Sequence, residues 1–207
     1  MPRDFKISEI SPPARLESCF DGKPPKLWAR GDSAILNHPL LGILSARQID
    51  SDLALKSSQL LRQLVSLKEA AFVGGWHSPL EEEALRIALA QDASLVFCVS
   101  KALERFKPSD DLESRLNDGK VLLLTHCSPK AKRISRDASI RRNELVIALA
   151  TALLVLSAPL GSNTLNLAKA ALRHGKRVLT IEHRMNEELL ECNALPATCD
   201  NILTVLG

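Results

Sequence analysis

Ala152-Leu153-Leu154-Val155-Leu156, followed by Ser157-Ala158-Pro159-Leu160-Gly161-Ser162-Asn163-Thr164, is the stretch that decides the fold. The first five side chains are all apolar. A strand with one wet face would alternate, so this run reads as a strand covered on both faces. Small residues and a proline come next, and then an amphipathic stretch, Thr164–His174, that Gly175 stops. Strand, small-residue loop and helix follow one another within about two dozen residues.

The same unit recurs along the chain. Further apolar runs stand at Leu40–Leu44, Ala71–Val73, Leu95–Val99, Val121–Leu124 and Val178–Ile181. Helical patterns lie between them. Asp50–Leu67 puts Leu53, Leu60, Leu64 and Leu67 on one face. Leu80–Ala90 follows a proline and opens on Glu81-Glu82-Glu83, which suits the positive end of a helix. Ile140–Ala150 is a third. Repeated strand–helix alternation with right-handed crossovers predicts an α/β fold: a doubly wound, mainly parallel Rossmann-like sheet with helices on both faces. Residues 1–36, with Pro12-Pro13, Pro24-Pro25, Gly22 and Gly31, read as loop chemistry or an extended arm, and residues 37–207 as the Rossmann-like domain. There are no internal repeats and no low-complexity segments.

The 207 residues are 45% hydrophobic, a single-domain length with ample core. No disulfide or metal is needed to hold such a chain together. The five cysteines are scattered without CxxC spacing, which leaves zinc and redox motifs unsupported, and Cys98 and Cys127 read as small buried hydrophobes. No cofactor is implied. No apolar run reaches the ~18 residues of a membrane span, and the first residues lack the apolar stretch of a signal peptide, so the expected location is the cytoplasm. Aromatic residues make up 3%, with no Tyr, so base stacking has few platforms.

Net charge is +3, against an all-over cationic coat. The charge is unevenly placed, however. Lys130 to Glu144 carries six basic and two acidic residues, including Lys132, Arg133, Arg136, Arg141 and Arg142, and the rest of the chain sums to −1. Arg141, Arg142 and Asn143 are expected where a helix begins. Cations there oppose the helix dipole, which makes sense if an anion lies in front.

Ligands of an open parallel sheet bind beyond the carboxyl ends of the strands. Three loops there are candidates for an anion site: Ser45-Ala46-Arg47; Gly74-Gly75-Trp76-His77-Ser78-Pro79; and Ser157 to Thr164, with Gly161, Ser162 and Asn163 ahead of a helix. Small residues before a helix bare its free N–H groups, as phosphate binding requires, though short glycine loops also simply turn the chain and Ser162 or Asn163 can be a plain N-cap. Neither G-x-G-x-x-G nor a Walker A sequence is present. The histidines form no HExxH or Ser–His–Asp set, and His77 and His126, near strand ends, read as polar loop residues or ligand contacts. No catalytic set is expected.

Taken together these loops resemble the DNA-processing protein A (DprA/Smf) family, part of a wider Rossmann-like group that includes phosphoribohydrolases. The family's Gly-Ser-Arg stands as Ser45-Ala46-Arg47. Its Ser-Gly-x-Ala-x-Gly-Ile-Asp aligns with Gly74 to Glu81 and keeps Gly75. Its Arg-Asn-Arg-Ile-Ile corresponds to Arg142-Asn143-Glu144-Leu145-Val146, and its Ser-Gly-Ala/Ser-Leu to Ser162-Asn163-Thr164-Leu165. Arg30-Gly31-Asp32 upstream, and Asn186 with Leu189-Leu190 downstream, extend the likeness over residues 24–207. The resemblance implies a protein that binds single-stranded DNA and helps load RecA in recombination and natural transformation, and one that pairs as a homodimer. The implied DNA contacts are Arg47, Gly75, Trp76, Ser78, Lys132, Arg133, Arg136, Arg141, Arg142, Asn143 and Gly161 to Thr164. The alternative is a nucleotide-binding protein or a phosphoribohydrolase-like enzyme. That group's Pro-Gly-Gly-x-Gly-Thr-x-x-Glu loop aligns with Pro159 to Leu167, which has no acid at the catalytic end.

Overall fold

The computed structural model of the chain describes residues 5–20, 22–67, 70–130 and 136–207. In chain order its elements are β1 (Ser8–Ile10), β2 (Leu27–Gly31), β3 (Leu40–Ser45), α1 (Ser51–Leu67), β4 (Ala71–Gly74), α2 (Pro79–Ala90), β5 (Leu95–Val99), α3 (Asp110–Asn117), β6 (Val121–Thr125), α4 (Arg136–Leu149), β7 (Ala152–Ser157), α5 (Asn163–Arg173), β8 (Arg177–Thr180), α6 (Glu187–Glu191), β9 (Leu195–Pro196) and α7 (Cys199–Leu206). All six strands expected from the apolar runs are present, with ends within one residue of those read from the sequence.

Among the described residues the strands form one sheet in the order β1-β2-β6-β5-β4-β3-β7-β8-β9, parallel from β6 to β9. Every residue of β3, β4, β6 and β7 is buried, which is why those runs do not alternate. One apolar layer packs α1, α2, α3 and α7 against the sheet, with Leu53, Leu61, Ile87, Leu116 and Ile202 turned inward. The other carries α4, α5 and α6, with Leu145, Leu149, Leu165 and Leu189. The doubly wound arrangement follows from the sequence pattern.

Two readings change. The first thirty-odd residues are not loop alone. β2 pairs antiparallel with β6, and β1 pairs antiparallel with β2. Gly31 allows the join: its φ is +123°, and a Cβ there would stand 2.2 Å from the carbonyl oxygen of Val121. Arg30 then ties the added edge to α3 through a forked ion pair with Glu113 (Nη1–Oε2 3.0 Å), while its Nε donates to the Phe5 carbonyl at 3.1 Å. The second change concerns α4, which begins at Arg136, a full turn before the expected Ile140. Arg141 and Arg142 therefore lie in its second turn and not at its mouth. There they do not oppose the dipole at the helix N-terminus. The extra turn is polar, so apolar periodicity could not register it.

Candidate functional site

β3 sits between β4 and β7, and the chain winds away from it in both directions. The loops leaving the carboxyl ends of β3 and β7 therefore diverge and open a crevice, the usual ligand position in such sheets. A cavity of about 370 Å³ fills it. Its wall on the β3 side is Leu44 to Gln48, and on the β7 side Pro159 to Thr164 with Leu167, while His77, Glu81 and Asn143 complete it.

The β7 side is a helix N-terminus. Ser162 has extended backbone, and its Oγ accepts a hydrogen bond from the Leu165 N–H at 3.1 Å, so it caps α5. Gly161, at φ +78°, makes the preceding turn. The N–H groups of Asn163 and Thr164 have no partner within the helix by construction and carry the positive end of its dipole. On the β3 side, Arg47 is exposed on the cavity wall and among the described residues has no ion pair or hydrogen bond. A free guanidinium and a helix N-terminus thus face one space. Ser162→Ala removes the cap and should cost about 1 kcal/mol, read as a lower urea midpoint with an unchanged slope.

Beneath the cavity lies a buried charge network. Glu81, 1% exposed, receives the N–H of Ser45 on Oε1 at 2.9 Å and the N–H of His77 on Oε2 at 3.0 Å. The same Oε2 stands 2.9 Å from His77 Nδ1. On its other side His77 Nε2 is 3.2 Å from Arg142 Nη2. A guanidinium can only donate, so Nε2 accepts and Nδ1 carries the proton that is donated to Glu81. Arg142 also donates from Nε (3.2 Å) and Nη2 (2.9 Å) to Asn143 Oδ1. Burial pushes the Arg142 guanidinium below its ordinary value, and the Glu81 charge opposes that shift. Gly75 makes room: a Cβ there would lie 2.7 Å from Arg142 Nε. The opposite loop is pinned by Asn186, fully buried, whose Oδ1 accepts from Ala158 N (2.8 Å) and whose Nδ2 donates to the carbonyls of Leu156 (3.1 Å) and Ile181 (3.0 Å).

The structure sorts the residues singled out from sequence. Arg47, Asn143, Gly161, Ser162, Asn163 and Thr164 line the one cavity. Trp76 and Ser78 do not. Trp76 is 5% exposed with φ +52°, and its Nε1 donates to the Val96 carbonyl at 3.3 Å; Ser78 is fully buried. Arg142 is 6% exposed and lies under the loop, not on the surface. Arg141 is exposed on α4. Arg136 opens α4, and Lys132 and Arg133 fall outside the described residues. Glu81 is not among the site residues expected from the sequence, whereas His77, read there as a polar loop residue or a ligand contact, stands on the cavity wall. A carboxylate four residues after a histidine at a strand exit was the available signal. The cysteine reading holds for Cys98, whose thiol is pushed up to about 12 by burial and is therefore unreactive. At the end of β6, burial and the Arg141 and Arg142 charges push His126 down.

A family model, DNA recombination-mediator protein A, matches residues 6–201. The chain belongs to this family. Its fold agrees with solved family structures. The DNA processing protein A of Helicobacter pylori, described for its unique single-stranded DNA binding mode, is 22% identical, with a TM-score of 0.77 over 100% of this chain and 98% of its own. The DNA processing protein A of Streptococcus pneumoniae is 18% identical, with a TM-score of 0.81 over 99% of this chain and 75% of its own. A molybdenum cofactor binding protein of Rippkaea orientalis shares the fold at a TM-score of 0.55 and 16% identity, over 81% of this chain and 94% of its own. No curated protein matches. Among the described residues no helix of this family member is long and apolar enough to cross a membrane.

Proposed function

We propose that this recombination-mediator family member binds single-stranded DNA, with a backbone phosphate at the switch-point cavity. One observation carries the reading: the unpaired Arg47 guanidinium and the α5 N-terminus face the same cavity, so two kinds of anion donor converge there. Family membership supplies the nucleic acid. Arg141, exposed on α4, extends the cationic surface, and the basic stretch through Lys132, Arg133 and Arg136 precedes it in sequence. Asn143 takes part from the cavity wall. Arg142 holds the wall in place from beneath. Contacts of this kind bind the backbone and read little sequence.

By family likeness the strand is handed to a RecA-type recombinase in DNA recombination and transformation, and two copies of the chain act together. Binding is favoured over hydrolysis by Leu167, which lines the cavity where the phosphoribohydrolase loop would place its catalytic carboxylate. An apolar side chain cannot stabilise an oxocarbenium ion.

The test is fluorescence anisotropy of a labelled single strand across a salt series. Three phosphate contacts give a log–log slope near −2 and a loss of about 20-fold between 50 and 200 mM salt. Affinity indifferent to salt would contradict the reading, as would tight binding of nucleoside monophosphates with none of the strand, and release of free base would identify a hydrolase.

A further inference from the structure

A second cavity, of about 330 Å³, adjoins the first and shares Gln48, Pro159 and Leu160 with it. Its character differs. Pro159, Leu160, Ile49 and Met185 give it apolar walls, and two of its polar residues, Asp50 and Arg184, are engaged with each other. Asp50 Oδ1 caps α1 by accepting the Leu53 N–H at 2.9 Å, and Oδ2 accepts from Arg184 Nη2 at 3.1 Å with His183 Nε2 at 3.3 Å. Ile49 and Met185 are partly buried against the core, so the floor is fixed. Leu160 is the opposite: 82% exposed, on the ridge between the two cavities. A leucine left this open forfeits burial that the fold alone does not recover.

We propose that this groove is a nucleobase subsite: the strand crosses the Pro159–Leu160 ridge and lays one base between Leu160 and Met185. The inference rests on the phosphate reading of the adjoining cavity, because continuity with that cavity is what selects a base as the occupant. The chemistry agrees. Flat aliphatic and thioether surfaces pack on the face of any base, and the thioether sulfur is polarisable against a π-system. Packing of this kind grips the face of a base and not its edges. The subsite therefore takes purines and pyrimidines alike, in a protein whose aromatic content is 3%.

The test compares two labelled strands of equal length, one carrying bases and one abasic throughout, against the unaltered protein, Leu160→Ala and Leu160→Trp. The unaltered protein should prefer the base-bearing strand. Leu160→Ala should reduce that preference roughly fivefold by removing apolar contact. Leu160→Trp should raise it roughly tenfold by adding a stacking platform. Because Leu160 is so exposed, neither change threatens folding. A preference unmoved by both variants, or equal binding of the two strands by the unaltered protein, would overturn the subsite. Failure of the phosphate reading looks different: the unaltered protein would then bind neither strand, or bind the abasic one without salt dependence.

Discussion

Glu81→Ala is expected to lower stability by about 3–5 kcal/mol, a fall in Tm of roughly 6–20 °C for a chain of this size. The carboxylate is 1% exposed and terminates three hydrogen bonds, two from the backbone of Ser45 and His77 and one from the His77 ring. Removing it leaves three donors without their acceptor, the Ser45 N–H among them buried, and takes the countercharge away from the buried Arg142. Glu81→Gln should recover part of the loss, since an amide oxygen still accepts a backbone N–H but carries no charge. Urea unfolding of the three proteins orders them. A Glu81→Ala protein within 1 kcal/mol of the parent would show that the network is not what holds the β3 and β4 exits together.

Asn186→Ala is the second large effect, expected at about 2–5 kcal/mol. Its amide satisfies three buried backbone groups, at Leu156, Ala158 and Ile181, which tie the ends of β7 and β8. Each group left bare costs roughly 1–3 kcal/mol, reduced where water can enter. Asn186→Asp keeps the acceptor but sets a buried, unpaired carboxylate oxygen against the two carbonyls, so it should be at least as destabilising as Asn186→Ala. Amide hydrogen exchange gives a local reading, with the Ala158 N–H losing its protection first. Loss of global stability without faster exchange at Ala158 would contradict the assignment.

The parts of the fold that were legible in the sequence were those whose chemistry is uniform. The six central strands are covered on both faces, so their composition announces them. β1, at the edge of the sheet, and β2, whose burial alternates along the strand, hide among prolines because neither carries a continuous buried apolar run. α3 is eight residues long with only Leu112 and Leu116 buried, too little to form a readable stripe among its charges. The first turn of α4 is likewise polar, and missing it placed Arg141 and Arg142 at a helix mouth when they lie one turn inside.

In the site, Arg47 and Gly161 to Thr164 were legible because strand-end loops are where ligands bind in this architecture. The Glu81 network was not. Three consecutive glutamates read as complements to a helix dipole, and only the packing of α2 against β3 shows that Glu81 turns inward while Glu82 stays in solvent. Trp76 and Ser78 sit in the right loop, but with their side chains in the core. The sequence order gave their neighbourhood and not their direction.

Arg47 is the side chain on which a phosphate site between β3 and β7 depends most directly. Anisotropy of a labelled single strand should be measured against salt for the parent and for Arg47→Ala, whose exposed side chain is not needed for folding. The variant should bind about tenfold or more weakly, and its log–log slope should be shallower by about 0.7, the value of one phosphate contact on a single strand. An unchanged slope and affinity would contradict a phosphate site between β3 and β7.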